Sequence, residues 1–399
     1  MISDLCNISD CLHVTPKYTY IGLPMVRVTE INNSFLELKE SLKVSSEDYN
    51  KYTAKYTPQR GDIILARVGA FLGEFAYVDT IEKFCIGQNT TILNPKKHNK
   101  YIYYNLISPL TQLRLQREAA GSAYKSVGVD TIKNFIIELP DDEVQTDKIG
   151  DFLFLLDSKI QINKFIIAEL EAMAKTIYDY WFMQFDFPNA DGKPYRSSGG
   201  EMVWNEDLKR EIPSGWRKGT LFEISNITMG QSPNGDSYND TGNGMVFYQG
   251  RTDFGLRFPS TRMYTTEPSR IANQGDILLS VRAPVGDLNI SNEKCCIGRG
   301  LAALNSKTEA NSFVYYLMTK LKPQFDIINN NGTTFGALTK DMLNEMMIIV
   351  PADDLVEQFE SMVSVLDAKI ASCAKENLEL TGLRDWLLPM LMNGQATVE

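Results

Sequence analysis

The sequence predicts an α+β chain in which two similar modules stand in tandem, separated by two long helices that form an antiparallel coiled coil. Three observations carry this expectation. The stretch from Cys85 to Pro140 returns as Cys296 to Pro351 at an offset of 211 positions, so one module occurs twice. Between 149 and 181, and again between 359 and 391, apolar residues recur in alternating steps of four and three, the 3.5-residue period of a coiled-coil seam. Inside the modules, short apolar runs punctuated by glycine mix with helical stretches, without regular βαβ alternation.

In chain order, Gly61-Asp62-Ile63-Ile64-Leu65-Ala66 and Gly275-Asp276-Ile277-Leu278-Leu279-Ser280 read as buried strands entered through a turn. The segments Arg67 to Gly73 and Arg282 to Gly286 read as loops. Helices are expected at Tyr101 to Glu118 and at Ser312 to Ile328. A loop then follows at Gly121 to Lys125 and at Gly332 to Gly336, and each copy closes on a strand, Phe135 to Leu139 or Met346 to Val350.

The first seam runs Ile149, Leu153, Leu156, Ile160, Asn163, Ile167, Leu170, Ala174, Ile177, Trp181. The second runs Phe359, Val363, Leu366, Ile370, Cys373, Asn377, Leu380, Arg384, Leu387, Leu391. Helices of about 33 residues at 1.5 Å per residue reach roughly 50 Å, more than a compact domain needs. Pairing the two seams with each other buries both, and the polar interruptions at Asn163, Asn377 and Arg384 can fix register. Packing of each helix on its own module is the alternative. Between the first helix and the second module, proline, glycine and serine mark a linker.

At 399 residues, two to four domains are expected from length, and the duplication selects two. With 43% apolar residues each copy can bury a core. No apolar run is long enough for a membrane span and no signal peptide is visible. Six cysteines without a repeated C-x-x-C suit free thiols in a reducing cytoplasm. Cys6, Cys11 and His13 lack a fourth ligand of suitable spacing, so no metal site is expected. The net charge of −10 is uneven: residues 1–145 carry 16 basic against 17 acidic groups, and residues 201–350 carry 15 against 16. Both modules are therefore near neutral, and most of the excess acid lies in the C-terminal tail.

Several segments are more specific: Tyr180-Trp181-Phe182 with Phe185-Asp186-Phe187-Pro188, Gly192-Lys193-Pro194-Tyr195, Ile212-Pro213 with Gly215-Trp216, Arg282-Ala283-Pro284 with Gly286-Asp287, and Cys296-Ile297-Gly298-Arg299-Gly300. On these the chain resembles the specificity subunits of type I restriction-modification systems, over nearly its whole length. The resemblance implies target-recognition domain 1 at 1–145, a central spacer helix at 146–183, a linker at 184–215, target-recognition domain 2 at 216–351 and a C-terminal spacer helix at 352–393. Each domain would read one half of a bipartite site in double-stranded DNA. The implied partners are two methyltransferase subunits, which modify adenine at N6 with S-adenosylmethionine, and translocase-nuclease subunits that use ATP and Mg²⁺. No cofactor is expected in this chain, and no membrane. Trp216 has no counterpart at the start of the first module, although Leu5 to Asp10 resembles Leu221 to Asn226. The first module is accordingly expected to be complete but trimmed.

Chemistry of its own is not expected. The chain has no phosphate-cradling G-x-x-x-x-G-K-[ST], no amino-methyltransferase tetrapeptide and only two histidines, His13 and His98. Pro140-Asp141 followed by Asp157-Ser158-Lys159 imitates a nuclease arrangement, but Asp157 and Lys159 flank the seam, where charges pair across coiled coils. DNA reading needs arginine or lysine for phosphates and guanine edges and amides for adenine. The second module offers Gln231, Gln249, Arg251, Arg257, Arg262, Arg282, Arg299, Thr333 and Thr334. The first offers Arg27, Arg67, Gln88, Tyr124 and Lys125, with Arg60 and Lys96-Lys97 as further cations. For each, surface solvation or a structural ion pair is the alternative. From Arg251 to Arg299 there are six arginines and one lysine, and arginine's planar fork suits bidentate base readout. A protein-binding scaffold without DNA contact and a self-sufficient nuclease are the competing functions. The segments that fail to repeat, such as Arg251 to Arg262, are where specificity is expected.

Overall fold

The computed structural model describes residues 1–119, 125–282, 284–331 and 337–399, the side chains of 328–331 excepted. The chain divides into two compact units, residues 1–162 with 376–399, and residues 163–375.

In the first unit a five-stranded sheet runs in the order Cys6–Asp10, Thr90–Pro95, Ile63–Ala66, Phe75–Tyr77, Ser34–Phe35. A four-stranded sheet runs Tyr18–Thr19, Lys43–Val44, Leu23–Val26, Cys85–Ile86. The second unit repeats the plan. One sheet has the order Ser225–Met229, Leu301–Ser306, Ile277–Ser280, Leu288–Ile290; the other has Tyr238–Asn239, Tyr264–Thr265, Met245–Tyr248, Cys295–Ile297, Ile271–Ala272. Both copies share a parallel junction, Met25-Val26 beside Cys85-Ile86 and Phe247-Tyr248 beside Cys296-Ile297, and the first has another, Ser34-Phe35 beside Ala76-Tyr77.

The repeated Gly-Asp step has a physical cause. Gly61 and Gly275 turn the chain at φ of 95° and 86°, a region that only glycine enters without strain. The following aspartate is buried and ties the turn to the sheet. Asp62 accepts from the Gln59 N–H at 2.9 Å and the Asn94 amide at 2.8 Å; Asp276 accepts from the Asn273 N–H at 2.8 Å and the Asn305 amide at 3.2 Å. Burial nonetheless raises both carboxyl pKa values.

Four expectations are corrected. First, the short helices Ile2–Leu5 and Leu221–Ile224 lead into the strands Cys6–Asp10 and Ser225–Met229, and Asn7 meets Asn94 as Asn226 meets Asn305. Cys6 therefore answers Ser225, and the alignment of Leu5 with Leu221 is out by three positions. Second, helix Asn99–Ile107 starts one residue early relative to helix Asn311–Asn331, so Tyr103-Tyr104 answer Tyr315-Tyr316 at an offset of 212. Third, the helix expected over Tyr101 to Glu118 is two, because the Ser108 hydroxyl caps Thr111 and Pro109 opens a new helix, Pro109–Glu118. Fourth, Met347–Val350 forms the expected strand by pairing with Arg217–Thr220, whereas Phe135 to Leu139 forms none. Only the first rung is kept in both copies: the Ile2 N–H donates to the Phe135 carbonyl at 2.8 Å, and the Leu221 N–H to that of Met346 at 2.9 Å.

The spacer helices are Glu143–Tyr178, extended by a π-turn over Asp179–Met183, and Asp353–Met392. Within each unit they pack antiparallel. In the first, Arg384 meets Asp157 at 2.6 Å and Lys159 meets Glu376 at 3.3 Å; in the second, Ile167 clusters with Ile370 and Cys373. The helices also pack on the modules, with Ile149 and Leu153 in the first core and Phe359 and Val363 in the second, so the two arrangements weighed for them coexist.

The segment 184–215 is folded and not a loose tether. Phe187 stacks between Tyr195 and Trp216 at 4.6 and 5.4 Å, Phe185 is fully buried edge-on to Trp216, and Met202–Asn205 pairs with Arg210–Pro213 as a hairpin. The aromatic motif Tyr180 to Pro188 thus serves the core of the second unit.

Candidate nucleic-acid interface

In the second module, loops following four strands meet at one end of the sheets. The Gln231 N–H donates to the Ile297 carbonyl at 3.0 Å, the Gly298 N–H to Tyr248 at 2.8 Å, the Val281 N–H to Gly300 at 2.9 Å, and the Arg299 N–H to the Ser232 hydroxyl at 3.3 Å. These bonds set Gln231, Gln249, Arg282 and Arg299 around one loop end, all four exposed. The approach is too close for side chains: a β-carbon on Gly230 would lie 2.1 Å from the Gly298 carbonyl oxygen, and one on Gly298 or Gly300 would lie 2.9 Å from that of Gln249.

A short helical turn, Arg251–Asp253, follows Gln249. Asp253 is buried and holds the turn by accepting from the Gln249 N–H at 2.7 Å and from Arg262. Arg251 pairs with Asp287 at 2.7 Å, and Lys322 reaches the same carboxylate. Burial works against ionisation of Asp287, but the two cations hold its pKa below the ordinary value. Arg251 and Arg262 keep more than half of their side-chain surface exposed, so both present donors to solvent while being oriented.

The first module builds the same end. The Gly87 N–H donates to Val26, the Arg67 N–H to Asn89 and the Gly69 N–H to Lys125, which gathers Arg27, Arg67, Gln88 and Lys125. Arg27 is held by Glu30 at 2.5 Å in a turn equivalent to that of Asp253. Asn89 stands at φ 65° where the second module has Gly300, and was not foreseen. The Arg67 guanidinium turns inward to Asp10 at 2.9 Å and is nearly buried. Arg60 pairs with Asp79 at 2.7 Å.

One candidate is withdrawn. Arg257 is 3% exposed and its guanidinium is spent on Glu171, Asp367 and Tyr316, so it cannot reach DNA from this position. Tyr124, Thr333 and Thr334 lie outside the described residues.

Other reactive groups have structural partners. Asp157 accepts from the Tyr104 hydroxyl at 2.7 Å as well as from Arg384, the pairing across helices that its place beside the seam suggested. Burial pushes the Cys6 and Cys85 thiols up to about 12, which makes them poor nucleophiles. Cys11 and His13 come together with Asp10 rather than with Cys6, and the Asp10 carboxylate is already paired with Arg67.

The family model for the type I restriction modification DNA specificity domain matches residues 1–172 and 213–381. A protein named as the type I restriction enzyme MjaX specificity subunit, from Methanocaldococcus jannaschii, is 30% identical over 95% of this chain and 88% of its own length. The HindI specificity subunit of Haemophilus influenzae is 22% identical over 92% of each chain. Among solved structures, the type I restriction-modification S subunit from M. genitalium superposes with a TM-score of 0.65 at 18% identity, covering 98% of this chain and 94% of that one, which shows a shared fold. With the family model matched twice, once on each of two modules built to one plan, the chain belongs to the specificity subunits of type I restriction-modification systems.

Proposed function

We propose that each module reads one half of a bipartite site in double-stranded DNA through this loop end, and that the chain itself catalyses nothing. The observation that carries this is the convergence of Gln231, Gln249, Arg282 and Arg299 from loops that follow four different strands. Amides and guanidinium forks held on a rigid end are what major-groove base edges require. S-adenosylmethionine, ATP and Mg²⁺ are then needs of partner subunits, two methyltransferases and translocase-nucleases, in the cytoplasm. Among the described residues no helix is long and apolar enough to cross a membrane.

Docking of partners is supported by apolar side chains left exposed on the spacer helices. In the first unit these include Leu155, Ile162, Leu378 and Trp386; in the second, Phe165, Met173, Met362 and Val365. Where such side chains form a contiguous patch, exposed apolar surface marks an interaction site.

Arg299→Ala, co-expressed with the cognate methyltransferase, is expected to relax or lose one base position of a single half-site, at about 1–3 kcal/mol of discrimination. Long-read mapping of modified adenines checks this; an unchanged motif with normal assembly would favour a protein scaffold. The near-neutral modules lead to a second expectation. Affinity for DNA and its loss with salt both scale with the phosphates neutralised, so the isolated chain should bind weakly and with a shallow salt dependence. Adding methyltransferase should tighten binding, and a titration at two salt concentrations with and without that subunit tests it. Equal affinities would contradict the proposal.

A further inference from the structure

The two copies neutralise equivalent aspartates, Asp157 buried and Asp367 partly buried, with different arginines. Asp157 and Asp367 stand 210 positions apart on the spacer helices, and each accepts from a module tyrosine, Tyr104 at 2.7 Å and Tyr316 at 3.2 Å. In the first unit the guanidinium comes from the facing helix, Arg384 at 2.6 Å. The residue 210 positions before Arg384 is Ala174, which is fully buried and has no charge to give. Arg257 supplies it instead. Its guanidinium meets Asp367, lies 3.3 Å from Glu171 and sits 4.0 Å over the Tyr315 ring, so it grips both spacer helices of its unit.

Arg257 does not come from a helix but from the non-repeating stretch between Gly250 and Met263. Around it that stretch is fastened on two sides. The Ile290 N–H donates to the Arg257 carbonyl at 2.8 Å, and Asn289 brackets Gly255 by accepting its N–H and donating to its carbonyl. The next residue, Phe258, packs on Ile167, Ile370 and Cys373 of the helix pair.

We infer that Arg257 is a positioning residue for DNA reading: a strap that fastens the second module's variable segment, with Arg251 and Arg262 on it, to the spacer helices. Its charge is exchangeable with an arginine at position 174, whereas its tether is not. The consequence for specificity rests on the second module contacting DNA; the tether itself does not.

The test uses the full chain with its methyltransferase. In Arg257→Met the unfolding midpoint should fall, amides of residues 251–262 should exchange roughly tenfold faster or more without DNA, and methylation dependent on the second half-site should drop by a similar factor. Ala174→Arg combined with Arg257→Met places a guanidinium as Arg384 is placed, and keeps the experiment informative if the single variant does not fold. That pair should recover the unfolding midpoint, with exchange in 251–262 still fast and methylation still low. Full recovery of methylation in the pair would reduce Arg257 to a counter-charge and overturn the inference. Slow exchange with lost methylation would make it a DNA contact, with the same result. If exchange behaves as expected but Arg299→Ala leaves the motif unaltered, the strap stands and the location of the interface fails.

Discussion

Gly230→Ala should abolish reading by the second module, although it adds a single methyl group to an otherwise unchanged chain. Its β-carbon would fall 2.1 Å from the Gly298 carbonyl oxygen and 2.8 Å from that of Leu301. Both obstacles are backbone, so no side chain can rotate away. The Gly230 N–H also bonds the Leu301 carbonyl at 2.9 Å, which holds the two segments at this spacing. Relief requires the loop Gly298-Arg299-Gly300 to retreat, and it carries Arg299 and braces Gln249 from below. Overpacking of this sort costs about 1–3 kcal/mol in stability, and loss of one bidentate contact a further ~1–3 kcal/mol in binding, about ten- to hundredfold in affinity. The restriction belongs to the second module: strand register sets Cys11 at the equivalent place in the first. Mapping of modified adenines should therefore show loss of the full site, and DNA probes carrying only the first half-site should bind the variant and the parent chain alike. Retained methylation in Gly230→Ala would mean that this loop end does not touch the bases.

What was legible in the sequence follows from how local each cause is. Gly61-Asp62 and Gly275-Asp276 could be read because a turn and its capping aspartate are adjacent in the chain. The seams could be read because a 3.5-residue period is a property of one helix alone, whichever partner it meets. Arg257 could not. As a non-repeating arginine in a polar stretch it had the look of a base reader, and its actual place is decided by the exchange of Arg384 for Ala174 on a helix more than 80 positions away. The strand over Phe135 to Leu139 failed for a similar reason: its apolar pattern matches Met347–Val350, but a strand needs a ladder partner, and nothing equivalent to Arg217–Thr220 pairs with it among the described residues. The proline- and glycine-rich run after Phe187 reads as a linker because composition does not reveal that Phe187, Tyr195 and Trp216 will stack. At the interface itself, residue types were readable, but their convergence depends on hydrogen bonds between segments distant in the chain, three of the four joining positions 50 or more apart, such as Gly298 to Tyr248.

Phe359→Ala is expected to cost the second unit about 3–5 kcal/mol, the range for emptying a fully buried phenylalanine site. Phe359 has no exposed surface and packs edge-on to Tyr178, Trp181, Phe182, Phe313 and Tyr316 at centroid distances of 5.1 to 6.4 Å. Those rings come from the end of the first spacer helix and from a module helix, so one side chain of the second spacer helix joins three elements. Truncation removes the buried area and several edge-to-face contacts together. Because the rings belong to separate elements, the surroundings can collapse into the void only by moving a helix. The chain's own tryptophans report the outcome: Trp181 and Trp216 are buried beside this cluster, Trp204 lies in the same unit, and only Trp386 belongs to the other, where it is largely exposed. The red shift of fluorescence on urea unfolding therefore follows the second unit, and its midpoint should fall sharply in Phe359→Ala and much less in Phe359→Leu. A two-unit chain need not unfold in one step, so hydrogen exchange should show residues 1–119 still protected under conditions where the second unit has opened. If instead both units open together in the variant, the helices that run through both transmit the loss, and the stability of each reader depends on the integrity of the shared spacer.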